Sequence, residues 1–412
     1  MRRLAARFRR LSVLPLLGAL LLVGGCGTTD LPPILGGTNR AAPVAEAPPA
    51  QAAPQEQVII SPEMAVPLQE GRPVRAALLL PLSGPSAGVG TAMLNAAQLA
   101  LFDTAPENFT LLPLDTRGTP DGAAAAARHA VSEGVDVILG PLFSGDVKAT
   151  GPIARQANLN VVSFSTDRTA ASQGVFVLGF LPGPQVERVV SYARSQGMSR
   201  FGALLPNTEY GRAVSQAMQE TLRRGGGTLV ATEFYDPNAN DLGQPVRAIA
   251  AQADSLDAIL LPDEGLRLRA LASQLAVAGV DTTRVKLLGT MLWDDPRLGQ
   301  EPALVGAWYP LPPSAQFMEF QSRYAQSFGS RPPRIASLAY DATALAAVLA
   351  RRPNPDFSTA SLTNPSGFAG IDGIFRLLPN GTAERGFAVL EVTRAGPREI
   401  SPAPQTFERP VF

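Results

Sequence analysis

Few side chains in this 412-residue sequence could catalyse a reaction or bind a metal ion. The chain has one cysteine, Cys26, and one histidine, His129. A zinc site built from such residues needs three or four ligands, so a single chain cannot form one. His129 lies in the alanine-rich stretch Ala123–Ala130, which is typical of a surface helix rather than of a catalytic triad. We therefore expect a protein that is not an enzyme and that has no catalytic residue, cofactor or metal.

Carboxylates are the remaining groups that could do acid–base chemistry. Asp294 and Asp295 are adjacent, and adjacent acids on a loop are more typical of a solvated turn than of two acids that flank a scissile bond. The sequence also has neither a Walker loop nor a dinucleotide fingerprint. Catalysis by carboxylates alone is therefore the weakest of the functions considered.

The single cysteine follows an export signal. Met1–Arg10 is cationic, and Leu11–Gly25 is uncharged, leucine-rich and shorter than the roughly 20 residues that span a bilayer. Val23–Cys26 resembles the lipobox of bacterial lipoproteins, in which the signal is removed before a cysteine that receives lipid. The resemblance implies a signal peptide over residues 1–25 and lipidation of Cys26; the alternative is an ordinary secretory signal. Because Gly27 stands where retained lipoproteins carry Asp, it also implies an outer-membrane lipoprotein that faces the periplasm.

The segment after the cysteine predicts a spacer. Asp30–Pro73 holds nine prolines in 44 residues. Such a segment has too little apolar surface to build a core, so we expect residues 26–73 to be a disordered tether. Removing the signal takes away five arginines and no acid, which leaves 30 basic and 35 acidic residues. This acidic balance argues against nucleic acid as a partner, and limits membrane contact to the lipid anchor.

From Val74 onward, apolar strands alternate with helical segments of ordinary length. This alternation predicts doubly wound α/β lobes with parallel sheets. Two such runs are followed by consecutive helices over Ala315–Phe328 and Ile335–Arg351, and then by a predicted hairpin of Ile374–Leu377 with Phe387–Val392. We expect two lobes joined by a hinge, with the chain returning late to the first. The expected boundaries are residues 74–180 and 310–368 for lobe 1, and residues 181–309 and 369–412 for lobe 2.

Polar residues follow several of the predicted strands. Ligands of such sheets lie at the carboxyl ends of the strands, and between two lobes that place is the cleft. Hydroxyl groups and backbone amides at helix N-termini suit a carboxylate or a similar anion, although each hydroxyl could instead be a simple helix cap. The candidate residues of this type are Ser83, Ser144, Ser163, Ser165, Thr166 and Tyr210.

Several of these loops resemble the type I periplasmic binding fold of leucine/isoleucine/valine-binding proteins, over most of residues 74–392. The motifs are Pro81–Gly84, Ile138–Ser144, Val161–Thr166, Tyr210-Gly211 and the Gly373–Gly381 hairpin. The resemblance implies that hydroxyls hold a ligand carboxylate and that Ser144, Ser165 and Thr166 supply them.

The sequence departs from the amino-acid binders where they hold the ligand ammonium. Gly179–Gly183 lacks their hinge Asp, and Gly289–Trp293 lacks their later Glu. An ammonium that is buried without an acid costs several kcal/mol. The groups that could replace the missing acids are Asp263, Glu264, Asp294 and Asp295, and we include Asp263, Glu264 and Trp293 in the candidate cleft site.

Within that superfamily, Ala77–Asp103, Asp115–Gly118 and Phe164–Ala170 are most similar to lipoproteins that activate penicillin-binding proteins. This resemblance implies a non-catalytic, tethered lipoprotein that stimulates a peptidoglycan synthase by protein contact. The alternative is a periplasmic solute-binding receptor that delivers an amino acid, amide or peptide to an ABC transporter. In either case a small polar ligand fits the cleft.

Overall fold

The computed structural model describes residues 72–239 and 241–407. The predicted signal peptide, Cys26 and nearly all of the predicted tether lie outside these residues. Within the described ranges, no helix is both long and apolar enough to cross a bilayer.

Lobe 1 is built on a parallel sheet of five strands in the order β2-β1-β3-β4-β5. In β1 only Arg75 is exposed, which fits a parallel strand that is covered on both faces. The strands are β1 Val74–Leu80, β2 Phe109–Asp115, β3 Val137–Leu139, β4 Asn160–Ser163 and β5 Val175–Val177. The helices between them are α1 Ala87–Thr104, α2 Pro120–Ser132 and α3 Ser144–Gln156.

Lobe 2 contains a sheet of seven strands in the order β15-β14-β10-β9-β8-β6-β7. The strands from β7 to β10 are parallel, and β14 and β15 add an antiparallel edge. The parallel strands are β6 Arg200–Pro206, β7 Thr228–Tyr235, β8 Ala258–Leu260, β9 Lys286–Leu288 and β10 Trp308–Leu311. The helices of this part are α4 Pro182–Ser195, α5 Glu209–Gly225, α6 Gly243–Ala250 and α7 Gly265–Val277.

The chain then returns to lobe 1 through two long helices and leaves it again. Helix α9 is almost wholly buried and packs against α1, so it closes the core of lobe 1. The helices are α8 Ser314–Phe328, α9 Ala336–Ala350 and α10 Thr359–Leu362. The last strands are β11 Phe368–Gly370, β12 Gly373–Leu377, β13 Ala383–Arg385, β14 Ala388–Thr393 and β15 Gly396–Ser401.

The predicted architecture of two α/β lobes with parallel sheets is confirmed, but the predicted hairpin is wrong. Strand β12 pairs with β13, a strand that the sequence pattern does not predict, whereas β14 pairs with β10 of lobe 2. Phe375, Leu377 and Ala383 belong to the hydrophobic core that contains β1 and α9. The first part of the 369–412 segment therefore packs in lobe 1, whereas β14 and β15 belong to the seven-stranded sheet of lobe 2.

Candidate functional site

A cavity of about 640 Å³ lies between the two lobes, next to the carboxyl ends of β4 and β6. Lobe 1 contributes Lys148 and the loop of residues 166–169, and the β12–β13 turn adds residues from Leu378 to Glu384. Lobe 2 contributes the start of α4 and one face of α5. Both lobes therefore supply polar and charged side chains to one cleft, whose size is in the usual range of about 300–1,000 Å³ for ligand pockets.

The start of α5 is fixed by its cap and by a close backbone contact. The Thr208 hydroxyl accepts a hydrogen bond from the backbone N–H of Gly211 at 3.1 Å, as expected of an N-cap. A Cβ atom at Gly211 would lie 1.9 Å from the carbonyl oxygen of Pro206, so only glycine lets the helix begin this close to the end of β6. This contact places the next side chains, Glu209 and Tyr210, at the cavity.

On the lobe 1 side, Asp167 organises the loop that lines the cavity. Its carboxylate accepts hydrogen bonds from the Ser144 hydroxyl at 2.5 Å, from the backbone N–H of Thr169 at 2.8 Å and from the Lys148 ammonium at 3.3 Å. Burial acts to raise the pKa of Asp167, but the hydrogen bonds from Ser144, Thr169 and Lys148 outweigh it and lower that pKa. The loop is therefore held by a carboxylate that stays ionised.

Several of the predicted hydroxyl groups are already used inside lobe 1. Ser83 donates to Asp115 at 2.6 Å, and Ser163 is wholly buried and donates to the carbonyl oxygen of Phe176 at 3.0 Å. Ser144 donates to Asp167, as described, and the Ser165 oxygen accepts the backbone N–H of Asp167 at 3.1 Å. The prediction that Ser163 faces the cleft is wrong, since a side chain with no exposed surface cannot reach a ligand there.

Among the candidate residues, Thr166 and Tyr210 are the two that line the cavity. The Tyr210 hydroxyl donates to the hydroxyl oxygen of the buried Thr290 at 2.9 Å. Burial raises the pKa of Tyr210 to about 12, so the phenol is neutral at pH 7. The candidates that do not line the cavity are Ser83, Ser144, Ser163, Ser165, Asp263, Glu264 and Trp293.

The prediction that Trp293 lies in the cleft is wrong. Its side chain is wholly buried in the core of lobe 2, and the indole N–H donates to the carbonyl oxygen of Leu261 at 3.0 Å. A Cβ atom at Gly289 would lie 2.1 Å from the Trp293 ring, which shows how tightly the indole packs against the end of β9. Trp293 stabilises the lobe and cannot contact a ligand without unfolding it.

Most of the acids that could replace the hinge Asp and the later Glu of the amino-acid binders already have hydrogen-bond or ion-pair partners within the protein. Asp263 accepts the hydroxyl of Tyr235. Asp294 pairs with Arg334 at 3.1 Å, and Asp295 pairs with Arg297 at 2.9 Å.

The structure instead brings an unpredicted acid to the cavity, Glu209 at the first position of α5. Glu209 forms no ion pair within residues 72–239 and 241–407. Its position favours a negative charge, because the helix dipole is positive there.

One face of α5 was also missed, although its signal is present in the sequence. Ala213, Gln216, Ala217 and Glu220 line the cavity. Their spacing is that of residues on one helix face. Such a face, with two alanines among polar side chains, is hard to distinguish from an ordinary solvated helix surface without the neighbouring lobe.

Comparisons with known proteins agree with this architecture. A family model described as periplasmic binding protein matches residues 73–397. An uncharacterized protein from Rickettsia prowazekii is 27% identical over 227 residues, which cover 53% of this chain and 61% of that protein. The chain thus spans about three fifths of the length of this curated relative.

Two solved structures show the same fold. A protein from Rhodospirillum rubrum, described as a candidate branched-chain amino acid ABC transporter, has a TM-score of 0.71 and 22% identity, over 80% of this chain and 100% of that chain. The branched-chain amino acid transporter substrate-binding protein LivJ from Streptococcus pneumoniae, in complex with isoleucine, has a TM-score of 0.55 and 18% identity, over 80% and 100% of the two chains.

Proposed function

The chain belongs to the periplasmic binding protein family, and from this premise we propose that it is a receptor that binds a small polar ligand between its lobes for uptake by an ABC transporter. The observation that carries the proposal is the cavity, whose walls come from Thr166 and Arg168 on lobe 1 and from Glu209 and Tyr210 on lobe 2. A ligand that contacts both walls binds the closed arrangement of the lobes better than the open one, which is how a transporter can distinguish loaded from empty receptor.

The side chains around the cavity suit a ligand with charged groups. Cationic Lys148, Arg168, Arg212 and Arg224 and several carboxylates line it together. Thr166 is exposed, and its hydroxyl forms no hydrogen bond within the described part of the chain, so it can donate to a ligand. A purely apolar ligand would displace water from these charged groups and offer them no polar contact in return, which is costly.

A thermal-shift screen of the purified protein tests this proposal. The panel contains the common amino acids, their amides, short peptides and aromatic carboxylates. A ligand at about 100 times its Kd stabilises the folded protein by about 2.7 kcal/mol, which raises the Tm by several degrees. At least one member should do so in a dose-dependent way, and a panel without any such member would contradict the receptor function.

Activation of a peptidoglycan synthase by protein contact is the second candidate function. One observation favours it: the hydroxyls of Ser83, Ser144 and Ser163 are consumed by hydrogen bonds within lobe 1, so this lobe lacks most of the donors that the sequence predicted for a ligand carboxylate. An activator would stimulate a purified synthase without any small ligand. It would also keep that stimulation when the cavity is filled by a bulky side chain.

Members of this family are periplasmic proteins, so the chain is exported. We propose further that Cys26 is lipidated and anchors the protein in the outer membrane, with residues 27–73 as a tether. In this proposal the protein carries out no chemistry, and its contact with the membrane is through the lipid alone.

A further inference from the structure

The cavity is long in one direction, because it follows α5 from its first turn to its last. Glu209 and Arg224 both line it, and they are fifteen residues apart on one helix. At about 1.5 Å per residue, this separation corresponds to roughly 22 Å. An extended peptide advances by about 3.3–3.6 Å per residue, so a single amino acid would occupy only a small part of this length.

The two ends of the cavity differ in how their charges are paired: Glu209 and Arg212, at the start of α5, form no ion pair within the described residues, whereas the charges at the far end are paired. At the start of α5, Glu209 is the one cavity carboxylate that has no ion-pair partner among the residues that the structure describes. At the far end, Arg224 pairs with Glu187 at 3.2 Å, and Arg168 of lobe 1 pairs with Glu220 of lobe 2 at 3.9 Å. These two pairs are about half exposed, and exposed pairs contribute at most about 1 kcal/mol, so a ligand carboxylate can take over either guanidinium at little cost.

The walls between the two ends can hydrogen-bond a peptide backbone. Gln216, which lies midway along α5, and Thr166 on lobe 1 both line the cavity, and the Thr166 hydroxyl forms no hydrogen bond within the described part of the chain. Amide and hydroxyl groups of this kind donate and accept, as the N–H and C=O groups of a peptide require. Ala213 and Ala217 leave room for a chain to lie along the helix.

We propose that the ligand is an extended, zwitterionic peptide of about four to six residues, with its amino terminus at Glu209 and its carboxylate at Arg168 and Arg224. This inference rests on the proposed receptor function and names its substrate class. It differs from binding of a free amino acid in that the affinity depends on chain length and on both ends of the ligand.

Calorimetry of the purified protein with alanine oligomers of one to six residues tests the inference. Affinity should rise with length and reach its maximum at about four to six residues, at least about tenfold above that of dialanine. Acetylation of the amino terminus or amidation of the carboxylate of the best peptide should each weaken binding by about tenfold or more.

Two variants locate the ends of the peptide. Arg224→Ala should lower the affinity for the longest peptide by about tenfold and leave the affinity for dialanine unchanged. Arg223→Ala, at the exposed neighbouring position outside the cavity, should change neither affinity. Glu209→Gln should lower the affinity for every peptide with a free amino terminus and leave the affinity for the acetylated peptide unchanged.

The possible failures are distinguishable. If free alanine, or another single amino acid or aromatic carboxylate, binds as tightly as the best peptide, the inference is overturned and the receptor function stands. The inference is also overturned if Arg223→Ala weakens the longest peptide as much as Arg224→Ala does. If nothing in either series binds, the receptor function itself fails.

Discussion

The guanidinium group of Arg334 in lobe 1 donates to the carboxylate of Asp294 in lobe 2 at 3.1 Å. Its other terminal nitrogen donates to Asp372, which is wholly buried, at 2.7 Å, and the group stacks over the Phe317 ring at 4.3 Å. Arg334 is thus rigidly held by its own lobe, and its contact with Asp294 ties the loop after β9 to lobe 1.

Asp294→Asn should loosen this tie, because it removes the charge on the side of lobe 2 and leaves the packing of Arg334 intact. We expect a larger fraction of open molecules without ligand, seen as an increased radius of gyration in small-angle X-ray scattering. Asp295→Asn is the matched control, since its partners Arg269 and Arg297 belong to lobe 2. Equal scattering changes in the two variants would contradict a specific role for the Asp294 contact.

The buried pair of Asp341 and Arg385 should contribute strongly to the stability of lobe 1. The two side chains are 0% and 4% exposed, and their charged atoms lie 3.5 Å apart. Asp341→Ala would leave a buried guanidinium unpaired, so we expect the free energy of unfolding to fall by about 3–5 kcal/mol in urea titrations. Glu187→Ala, which breaks an exposed pair, should cost less than about 1 kcal/mol. A loss for Asp341→Ala as small as that for Glu187→Ala would contradict this assignment.

Asp146 should make stability depend on pH between about 4 and 6. The side chain is buried in the first turn of α3, and burial raises its pKa to about 6, although a hydrogen bond with Thr116 opposes this. Since the folded pKa lies above the unfolded value of about 3.9, the folded state binds the proton more tightly. The contribution of this group to stability is therefore complete below about pH 4 and is lost as the pH rises through 6.

Asp146→Asn removes this dependence. We expect the variant to be more stable than the unmodified protein at pH 7, by up to about 3 kcal/mol, and similar to it at pH 4, as measured by thermal unfolding at both pH values. Glu107→Gln, at an exposed position, should show no such difference between the two pH values. A destabilised Asp146→Asn at pH 7 would mean that the carboxylate has a partner that this account omits.

The anchoring proposal concerns residues outside the described ranges and has its own test. The mature protein should begin at Cys26 and carry lipid on it, with a mass to match, and it should fractionate with the outer membrane. Cys26→Ser should abolish both properties and leave the folded lobes unchanged. An unmodified Cys26 in the mature protein would contradict the lipoprotein assignment.

The lobes could be predicted from the sequence because their signals are local. The apolar run that became β1 and the helical spacing of α1 or α9 need no knowledge of distant residues. The pairing of β14 with β10 joins segments that are distant in sequence, and nothing in the local pattern opposes the simpler hairpin with β12.

The site was harder to predict than the fold. Trp293 follows a strand as a cleft aromatic would, and only its packing against Gly289 reveals it as a core residue. Glu209 could not be predicted as a site residue for a different reason. An acid in the first turn of a helix ordinarily indicates a charge that stabilises the helix, and only the position of lobe 1 opposite it indicates a place in the cavity. Thr166 and Tyr210 line the cavity, and both lie within a few residues of a strand end, Thr166 three residues after β4 and Tyr210 four residues after β6.

The most direct test of the central claim is calorimetry of the best ligand from the screen against three proteins: the unmodified chain, Ala213→Trp and Gln219→Trp. Ala213 lines the cavity, so a tryptophan there should fill it, whereas Gln219 is exposed on α5 outside the cavity. We expect the unmodified chain and Gln219→Trp to bind the ligand, and Ala213→Trp to lose at least about a hundredfold in affinity. Undiminished binding by a folded Ala213→Trp would contradict a ligand site between the lobes.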